Sequence, residues 1–284
     1  MGTHPLATTH WLNEHLHDPD IRVLDASWYL PGDARDPQAE YALEHIPSAA
    51  FFDIDAIADQ TSALPHMMPR ADIFAAEVQR LGIGNNHFVI VYDAKGIYSS
   101  PRVWWAFKAM GHENCAVLDG GLPKWRREHR PTTSSVPTNP PGTFVPALKP
   151  ELIRGRGDML NNLQAHSEQI LDARSPSRFA GTEREPRPGV KPGHIPGSVN
   201  VYYADLVNDD GTLRSADDLR TIFEKNAIDL SRPIITTCGS GITAAIVFLA
   251  ANIAGANRLA LYDGSWVEWG STENAPIEIE PGCE

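Results

Sequence analysis

The sequence has few cysteines, a deficit of basic residues and no long apolar run, and each shortage excludes a class of protein. No stretch approaches the ~20 consecutive apolar residues that span a bilayer, so a membrane protein is not expected. The 24 Lys and Arg residues against 36 Asp and Glu residues give a net charge of −12. This charge disfavours nucleic acid and anionic membranes as partners. An anionic ligand would need a local positive pocket.

The cysteines are too few and too scattered for a disulfide framework or a zinc site. Cys115, Cys238 and Cys283 are odd in number and form no CxxC pair. Any cysteine chemistry therefore belongs to a single thiol in a reducing compartment. The N-terminal segment 1–17 is polar and carries no basic-then-apolar signal pattern, so we expect a cytoplasmic protein.

What the sequence does contain is an internal repeat. Residues 23–27 (VLDAS) return as 170–174 (ILDAR), 45–48 (HIPS) as 194–197 (HIPG), 89–93 (VIVYD) as 234–238 (IITTC), and 118–121 (LDGG) as 262–265 (YDGS). These ordered matches lie 144 to 149 residues apart. Such regularity indicates a tandem duplication of a domain about half the chain long.

Both copies have the pattern of an α/β fold. Short β-branched runs alternate with amphipathic stretches such as 71–81 and 216–226, which is typical of a parallel sheet covered by helices on both faces. Prolines concentrate in residues 131–150 and predict an extended linker. We therefore expect domains over residues 1–130 and 151–284, joined by the linker 131–150.

A candidate nucleophile lies at the end of one predicted strand. Cys238 follows the buried-looking strand 233–237 and precedes a Gly-rich turn that opens the apolar helix 244–254. Ligands of parallel sheets bind at the carboxyl ends of the strands, and the glycines let helix-start amides point at one atom. Such surroundings make a cysteine nucleophilic at neutral pH.

Two other roles are conceivable for a cysteine at position 238. A free cysteine is usually a small buried hydrophobe, and this reading stands for Cys115 and Cys283. Core packing, however, does not require a cysteine in a Gly-rich turn between strand and helix. Tyrosine phosphatases use a similar loop but need an arginine six residues after the cysteine, and position 244 is alanine.

These motifs resemble the rhodanese superfamily and, within it, the two-domain 3-mercaptopyruvate sulfurtransferases. The resemblance is carried by residues 27–30 (SWYL), 45–55, 101–105 (PRVWW), 193–197 (GHIPG), 238–243 (CGSGIT) and 263–269 (DGSWVEW). It implies two tandem rhodanese-like domains, the first catalytically silent, which agrees with Asp93 standing where the second has Cys238. It also implies a sulfurtransferase that needs no metal or organic cofactor.

The resemblance further implies the chemistry. Cys238 would take sulfur from a small anionic donor, 3-mercaptopyruvate, as a persulfide and release pyruvate. The acceptor would be a thiol, such as thioredoxin or a small thiol, or cyanide. Two alternatives stay open, a thiosulfate sulfurtransferase and a non-catalytic sulfur-carrying module. Thiosulfate enzymes typically carry a charged residue directly after the cysteine, so Gly239 favours mercaptopyruvate.

Site residues follow from the same resemblance. Arg178 and Arg187 correspond to the pair that holds the donor's carboxylate and carbonyl, so we expect their partner to be a ligand and not another side chain. The substrate-contacting loop residues are Gly239, Gly241, Ile242 and Thr243. Ser240 would form a proton relay with two residues of the silent domain, His66 and Asp55. Arg174 and Arg184 are expected to be solvated surface charges.

Overall fold

The computed structural model describes residues 4–280, which form two compact units. The first unit comprises the residues up to Thr61, together with Met68–Lys149 and Val207–Leu213. The second comprises Ser62–Met67, Pro150–Leu206 and the residues from Arg214 onward. Cys283 lies outside the described residues. No helix within residues 4–280 is long and apolar enough to cross a bilayer.

The first unit contains a five-stranded sheet and its covering helices. The strands are β1 (Leu6–Ala7), β2 (Ile21–Asp25), β3 (Ala49–Phe51), β4 (Phe88–Tyr92) and β5 (Cys115–Leu118). The helices are α1 (Thr9–His15), α2 (Pro37–Leu43), α3 (Ala71–Arg80), α4 (Ser100–Ala109) and α5 (Gly121–Arg127). All neighbouring strands are parallel, in the order β1-β5-β4-β2-β3.

The second unit repeats this sheet. Its strands are β6 (Ile153–Arg154), β7 (Gln169–Asp172), β8 (Val199–Asn200), β9 (Ile234–Thr237) and β10 (Leu259–Tyr262), in the parallel order β6-β10-β9-β7-β8. Its helices are α6 (Arg156–Ala165), α7 (Pro176–Ala180), α8 (Ala216–Lys225), α9 (Ala244–Ala254) and α10 (Ser265–Ser271), with 3₁₀ turns at Pro150–Leu152 and Tyr203–Leu206.

The predicted α/β class, with a parallel sheet in each half, is confirmed. Helices α3 and α8 each end one residue before the predicted bounds 71–81 and 216–226, whereas α9 has its predicted bounds. Helix α9 ends where it does because Gly255 takes a φ of 112°, a left-handed conformation that favours glycine.

Alternating side chains of the central strands fill the core on both faces of the first sheet. Ile90 and Tyr92 of β4 pack with residues of α1 and α5, including Trp125. On the other face, Phe74 of α3 and Phe107 of α4 meet edge to face, with ring centroids 5.2 Å apart. Strand β4 is a continuous apolar run, buried from Val89 to Tyr92, because helices cover both of its faces.

The proline-rich segment after α5 lies against the first unit. Residues 131–149 group with this unit, and Phe144 is buried beside Phe74 and Phe107. Backbone N–H groups of Gly142 and Ala147 donate to carbonyls of the first unit. Residues 131–149 contain no helix, and most of them are exposed around the buried Phe144. The role of the segment as a linker between domains 1–130 and 151–284 stays a prediction.

The loop after β4 is organised around the carboxylate of Asp93. One carboxylate oxygen accepts hydrogen bonds from the backbone N–H groups of Tyr98, Ser99 and Ser100 at 2.8 to 3.1 Å and from the Ser100 hydroxyl at 2.6 Å. The other oxygen accepts from the Lys95 N–H at 2.9 Å. Asp93 is 1% exposed, so this loop closes around its own buried anion.

Removing that anion should destabilise the first unit. We expect Asp93→Ala to lower the free energy of unfolding by about 2–4 kcal/mol. Each buried N–H group that loses its acceptor costs about 1–3 kcal/mol, and water in the place of the carboxylate satisfies some of these groups. Asp93→Asn keeps one acceptor oxygen and should cost less. Urea unfolding of the three proteins measures this, and equal stability of Asp93→Ala and wild type would contradict it.

A buried histidine should make stability depend on pH. His112 is 3% exposed and packs against Phe107 and Phe144. Its Nε2 has no hydrogen-bond partner among the described residues, and burial lowers the pKa of His112. Below about pH 6.5, the ordinary pKa of histidine, His112 is therefore protonated more readily in the unfolded chain than in the folded protein.

Stability should therefore fall as the pH drops below about 6.5, and less steeply in His112→Phe. Thermal unfolding midpoints measured from pH 7.5 to pH 5 provide the comparison. Parallel curves for wild type and variant would show that His112 does not contribute to the acid sensitivity.

Candidate active site

Cys238 lies at the carboxyl end of the central strand β9, in the turn that leads into α9. The side chain is 2% exposed, and its Sγ accepts a hydrogen bond from the Gly241 N–H at 3.2 Å. Gly241 has a φ of 81°, which lets the loop turn its amide back toward the sulfur. An N–H donor aimed at sulfur stabilises negative charge there.

The start of α10 holds this loop from the other side. The N–H groups of Trp266 and Val267 donate to the carbonyls of Cys238 and Gly239, each at 2.9 Å. The Ser265 hydroxyl accepts from the Cys238 N–H at 3.4 Å and donates to the Tyr262 carbonyl at 2.8 Å. These bonds fix the backbone around the thiol. They explain why the segment 263–269 (DGSWVEW), which follows β10, occurs together with the cysteine motif 238–243 (CGSGIT).

The same bonds occur around Asp93 in the first unit. Leu122 donates its N–H to the Asp93 carbonyl at 3.1 Å, as Trp266 does to that of Cys238 at 2.9 Å. The N–H of Ala26 donates to the carbonyl at the end of β4 at 2.8 Å, and Ala173 repeats this at the end of β9 at 2.9 Å. The two loops are therefore structural equivalents. One contains a built-in carboxylate and the other a thiol.

Arg178 brings positive charge to the cysteine loop. A Cβ atom placed on Gly239 would stand 3.0 Å from the Arg178 Nη2, so the guanidinium lies directly beside Gly239. Arg178 also has a side-chain partner, because its Nη2 donates to Glu185 at 2.5 Å and its Nε at 3.3 Å. The expectation that its partner would be a ligand and not another side chain was wrong for this residue, and it was wrong for Arg187, whose side chain contacts His66. The Nη1–Nη2 edge of Arg178 still suits a carboxylate.

Arg174 was predicted to be a solvated surface charge, and this is wrong. It is 1% exposed and donates to Asp172, to Glu185 and to the Gly193 carbonyl. Its guanidinium also stacks on Trp266, 4.3 Å from the ring centroid. A buried charge requires such pairing, since an isolated one would be strongly disfavoured. Arg184 is exposed, in agreement with its predicted place at the surface.

His66 belongs to the second unit although it comes from the first half of the sequence. The segment Ser62–Met67 groups with the second unit, and His66 is buried with a φ of 60°. Arg187, which is partly buried, approaches it with Nη2 3.4 Å from Nε2. A guanidinium only donates, so this contact is a hydrogen bond when Nε2 is unprotonated. The structure thus brings together two predicted site residues.

The remaining predicted residues have different surroundings. Ser240 and Ile242 are buried in the cysteine loop, and Thr243 begins the helical turn that becomes α9. Asp55 belongs to the first unit, where its carboxylate accepts from Trp28 Nε1 at 3.0 Å. Within residues 4–280, no cluster of His, Cys, Asp and Glu side chains is arranged to hold a metal ion.

Sequence reasoning missed the charged pairs behind Arg178. Asp172, Arg174 and Glu185 form buried ion pairs, and neither acid was singled out. A signal was present in the repeat, because the position of Arg174 is occupied by Ser27 in the first half. In both halves, this residue's N–H donates to the aspartate two positions before it, at 2.9 Å. The replacement of serine by arginine marks where the halves differ in charge.

The chain matches known proteins over nearly its whole length. A family model described as a rhodanese-like domain matches residues 8–128 and again residues 156–272. The chain is 44% identical to the human 3-mercaptopyruvate sulfurtransferase, over 93% of this chain and 91% of that protein. It is 42% identical to the thiosulfate sulfurtransferase of Rattus norvegicus, with the same coverage.

A solved structure extends the likeness to the fold. The crystal structure of SseA from Escherichia coli, described as a 3-mercaptopyruvate sulfotransferase with the rhodanese fold, superposes with a TM-score of 0.85 at 39% identity. The alignment covers 92% of this chain and 98% of SseA. With two matched domains, two equivalent sheets and a thiol in one of two equivalent loops, the chain belongs to the family of rhodanese-like proteins.

Proposed function

We propose that the protein is a 3-mercaptopyruvate sulfurtransferase in which Cys238 carries the transferred sulfur as a persulfide. The observation that carries this proposal is the buried Cys238 sulfur with the Gly241 N–H at 3.2 Å and the Arg178 guanidinium beside the same turn. A nucleophilic sulfur and a carboxylate-binding cation then lie at one strand end. Relatives named 3-mercaptopyruvate sulfurtransferase, at 40–44% identity, support the assignment.

The donor is held through its charge. Arg178 and Arg187 bind the carboxylate and carbonyl of 3-mercaptopyruvate, and the planar guanidinium fits a carboxylate better than an ammonium group does. The residues Gly239, Gly241, Ile242 and Thr243 shape the turn that receives the reacting sulfur. The net charge of −12 repels anions at long range. Donor binding therefore depends on these local cations.

In the first half-reaction, the Cys238 thiolate attacks the donor sulfur. A sulfur–sulfur bond forms, the carbon–sulfur bond breaks, and its electron pair stays on the departing pyruvate as an enolate. The arginines stabilise the charge of this enolate. Ser240, coupled to His66 of the same unit, supplies the proton that completes pyruvate. The outer sulfur remains on Cys238, where the Gly241 N–H and neighbouring loop amides hold it.

In the second half-reaction, a thiolate or cyanide attacks the outer sulfur. The sulfur–sulfur bond to Cys238 breaks and its electron pair regenerates the Cys238 thiolate. Thioredoxin or a small thiol serves as the acceptor. Since the reaction requires a reduced thiol, and Cys115 and Cys238 are both free in the structure, we place the protein in the reducing cytoplasm.

A thiosulfate sulfurtransferase is the second candidate. It is favoured by the rat relative named thiosulfate sulfurtransferase and by Arabidopsis relatives whose names include both donors. The identities, 42% against 44%, do not separate the two donors. Thiosulfate places its sulfonate next to the attacked sulfur, whereas the carboxylate of mercaptopyruvate lies farther away. The uncharged Gly239 and the neighbouring Arg178 suit the second arrangement.

The first test is sulfur transfer to the protein. Incubation with 3-mercaptopyruvate, without acceptor, should add ~32 Da, one sulfur atom, because the attacked sulfur stays on the nucleophile. Intact-mass spectrometry detects the adduct, which Cys238→Ser should abolish. Cys115→Ser is the matched control and should keep it, because Cys115 is buried in β5. An adduct that persists in Cys238→Ser would identify another nucleophile.

The second test concerns the arginines. Arg178→Lys and Arg187→Lys keep the charge but remove the planar fork, so each should lower kcat/KM for 3-mercaptopyruvate about 10- to 100-fold, the equivalent of about 1.5–3 kcal/mol. Discharge of a preformed persulfide by a neutral thiol should change little, because that step binds no carboxylate.

Arg184→Lys is the control for these variants, since Arg184 is exposed in the same loop. Its kinetics should equal those of wild type. Unchanged donor kinetics in Arg178→Lys and Arg187→Lys would refute the assigned carboxylate site.

A further inference from the structure

We propose that Glu185 is a positioning residue that sets the orientation of Arg178 and thereby the affinity for the donor's carboxylate. The inference rests on the proposed function and deepens it. Glu185 faces away from solvent, with a side chain 2% exposed, whereas that of Arg178 is 19% exposed. The acid is therefore the fixed partner, and the arginine presents its outer edge to the ligand.

The hydrogen bonds show which edge of Arg178 remains for a ligand. A guanidinium has five N–H groups in a plane, and Glu185 accepts from Nε at 3.3 Å and from Nη2 at 2.5 Å. This side-on pair leaves both N–H groups of Nη1 and the second of Nη2. One Nη1 N–H and the second Nη2 N–H form the end-on edge, which binds a carboxylate through two parallel hydrogen bonds. The pairing with Glu185 thus determines which edge of the Arg178 guanidinium is available to a ligand and where that edge points.

Glu185 is in turn fixed by the buried Arg174. Its Oε1 accepts from Arg174 Nη1 at 2.8 Å, and Arg174 donates to Asp172 at 2.6 Å. The order Asp172, Arg174, Glu185, Arg178 alternates in sign and sums to zero. Each carboxylate in this row lies beside a guanidinium, so each ion pair restricts the position of the next one. Arg174 also stacks on the ring of Trp266, and the backbone N–H of Trp266 donates to the Cys238 carbonyl.

The small residue at position 239 fits the same arrangement. With Arg178 held by Glu185, a Cβ on Gly239 would stand 3.0 Å from Nη2, so the guanidinium would have to give way. Gly239 has no left-handed backbone conformation in the structure. Its glycine identity is therefore explained by the guanidinium beside it and not by backbone strain.

The test is a double-mutant cycle in the donor half-reaction. Glu185→Gln keeps the size of the side chain and removes its charge, and should lower kcat/KM for 3-mercaptopyruvate about tenfold, chiefly through KM, because the ligand edge is no longer fixed. Arg178→Met removes the edge itself. In the double variant, the loss should equal that of Arg178→Met alone, because Glu185 acts through Arg178.

The matched control is Glu183→Gln, a charge removal two residues away. Glu183 accepts from the exposed Ser177 hydroxyl. This variant should keep donor kinetics within about twofold of wild type. The rate at which a preformed persulfide is discharged should be unchanged in Glu185→Gln. A general disturbance of the cysteine loop would change this rate.

In Glu185→Gln, Arg174 loses part of its pairing, which could impair folding. Gly239→Ala therefore provides a second, independent test of whether the orientation of Arg178 sets the affinity for the donor. It displaces the Arg178 guanidinium without touching Glu185, and should raise KM for mercaptopyruvate several-fold in wild type but not in Arg178→Met. Wild-type KM in both Glu185→Gln and Gly239→Ala, or losses that add to that of Arg178→Met, would overturn the positioning role. Failure of wild type to form the persulfide would instead refute the proposed function.

Discussion

The rest of the structure depends on the loop after the central strand of each sheet, where the first side chain of the loop accepts backbone hydrogen bonds from the loop itself. Three N–H groups donate to one oxygen of this side chain in the first unit, and the Gly241 N–H donates to the sulfur in the second. A parallel sheet brings its strand ends to one edge, and the turn that follows must satisfy its amides within a small volume. In the first unit the acceptor is the Asp93 carboxylate, which the sequence itself supplies. In the second unit the acceptor is the sulfur of Cys238. Equivalent loops thus enclose a carboxylate in the first unit and a thiol in the second.

The surroundings of the two loops differ in charge in a way that matches their roles. The first half has Ser27 where the second has Arg174, and Arg174 recruits Glu185, which pairs with Arg178. Buried ion pairs add little net stability because desolvation offsets their attraction. Their presence near the cysteine loop is better explained by orientation, since they hold the Arg178 guanidinium beside Gly239. Under the proposed function, this local cation binds the donor's carboxylate despite the net charge of −12.

The sequence predicted the features that depend on local pattern. The alternation of apolar strands with amphipathic helices and the helix after Cys238 follow from short-range spacing, and the internal repeat follows from short motifs that recur 144 to 149 residues apart. The structure confirms the α/β class. The partners of Arg178 and the burial of Arg174 were not predicted, because Asp172, Arg174 and Glu185 meet through the folding of the loop after α7. A lone arginine in a polar loop resembles a surface charge until its partners are known.

In the proposed reaction, Cys238 attacks a donor whose charge lies away from the attacked sulfur. Parallel measurement of kcat/KM for 3-mercaptopyruvate and for thiosulfate, with the same thiol acceptor, tests this proposal. The structure predicts that mercaptopyruvate is preferred by at least about tenfold, a difference of about 1.4 kcal/mol in transition-state binding. Equal efficiency with the two donors, or a preference for thiosulfate, would contradict it.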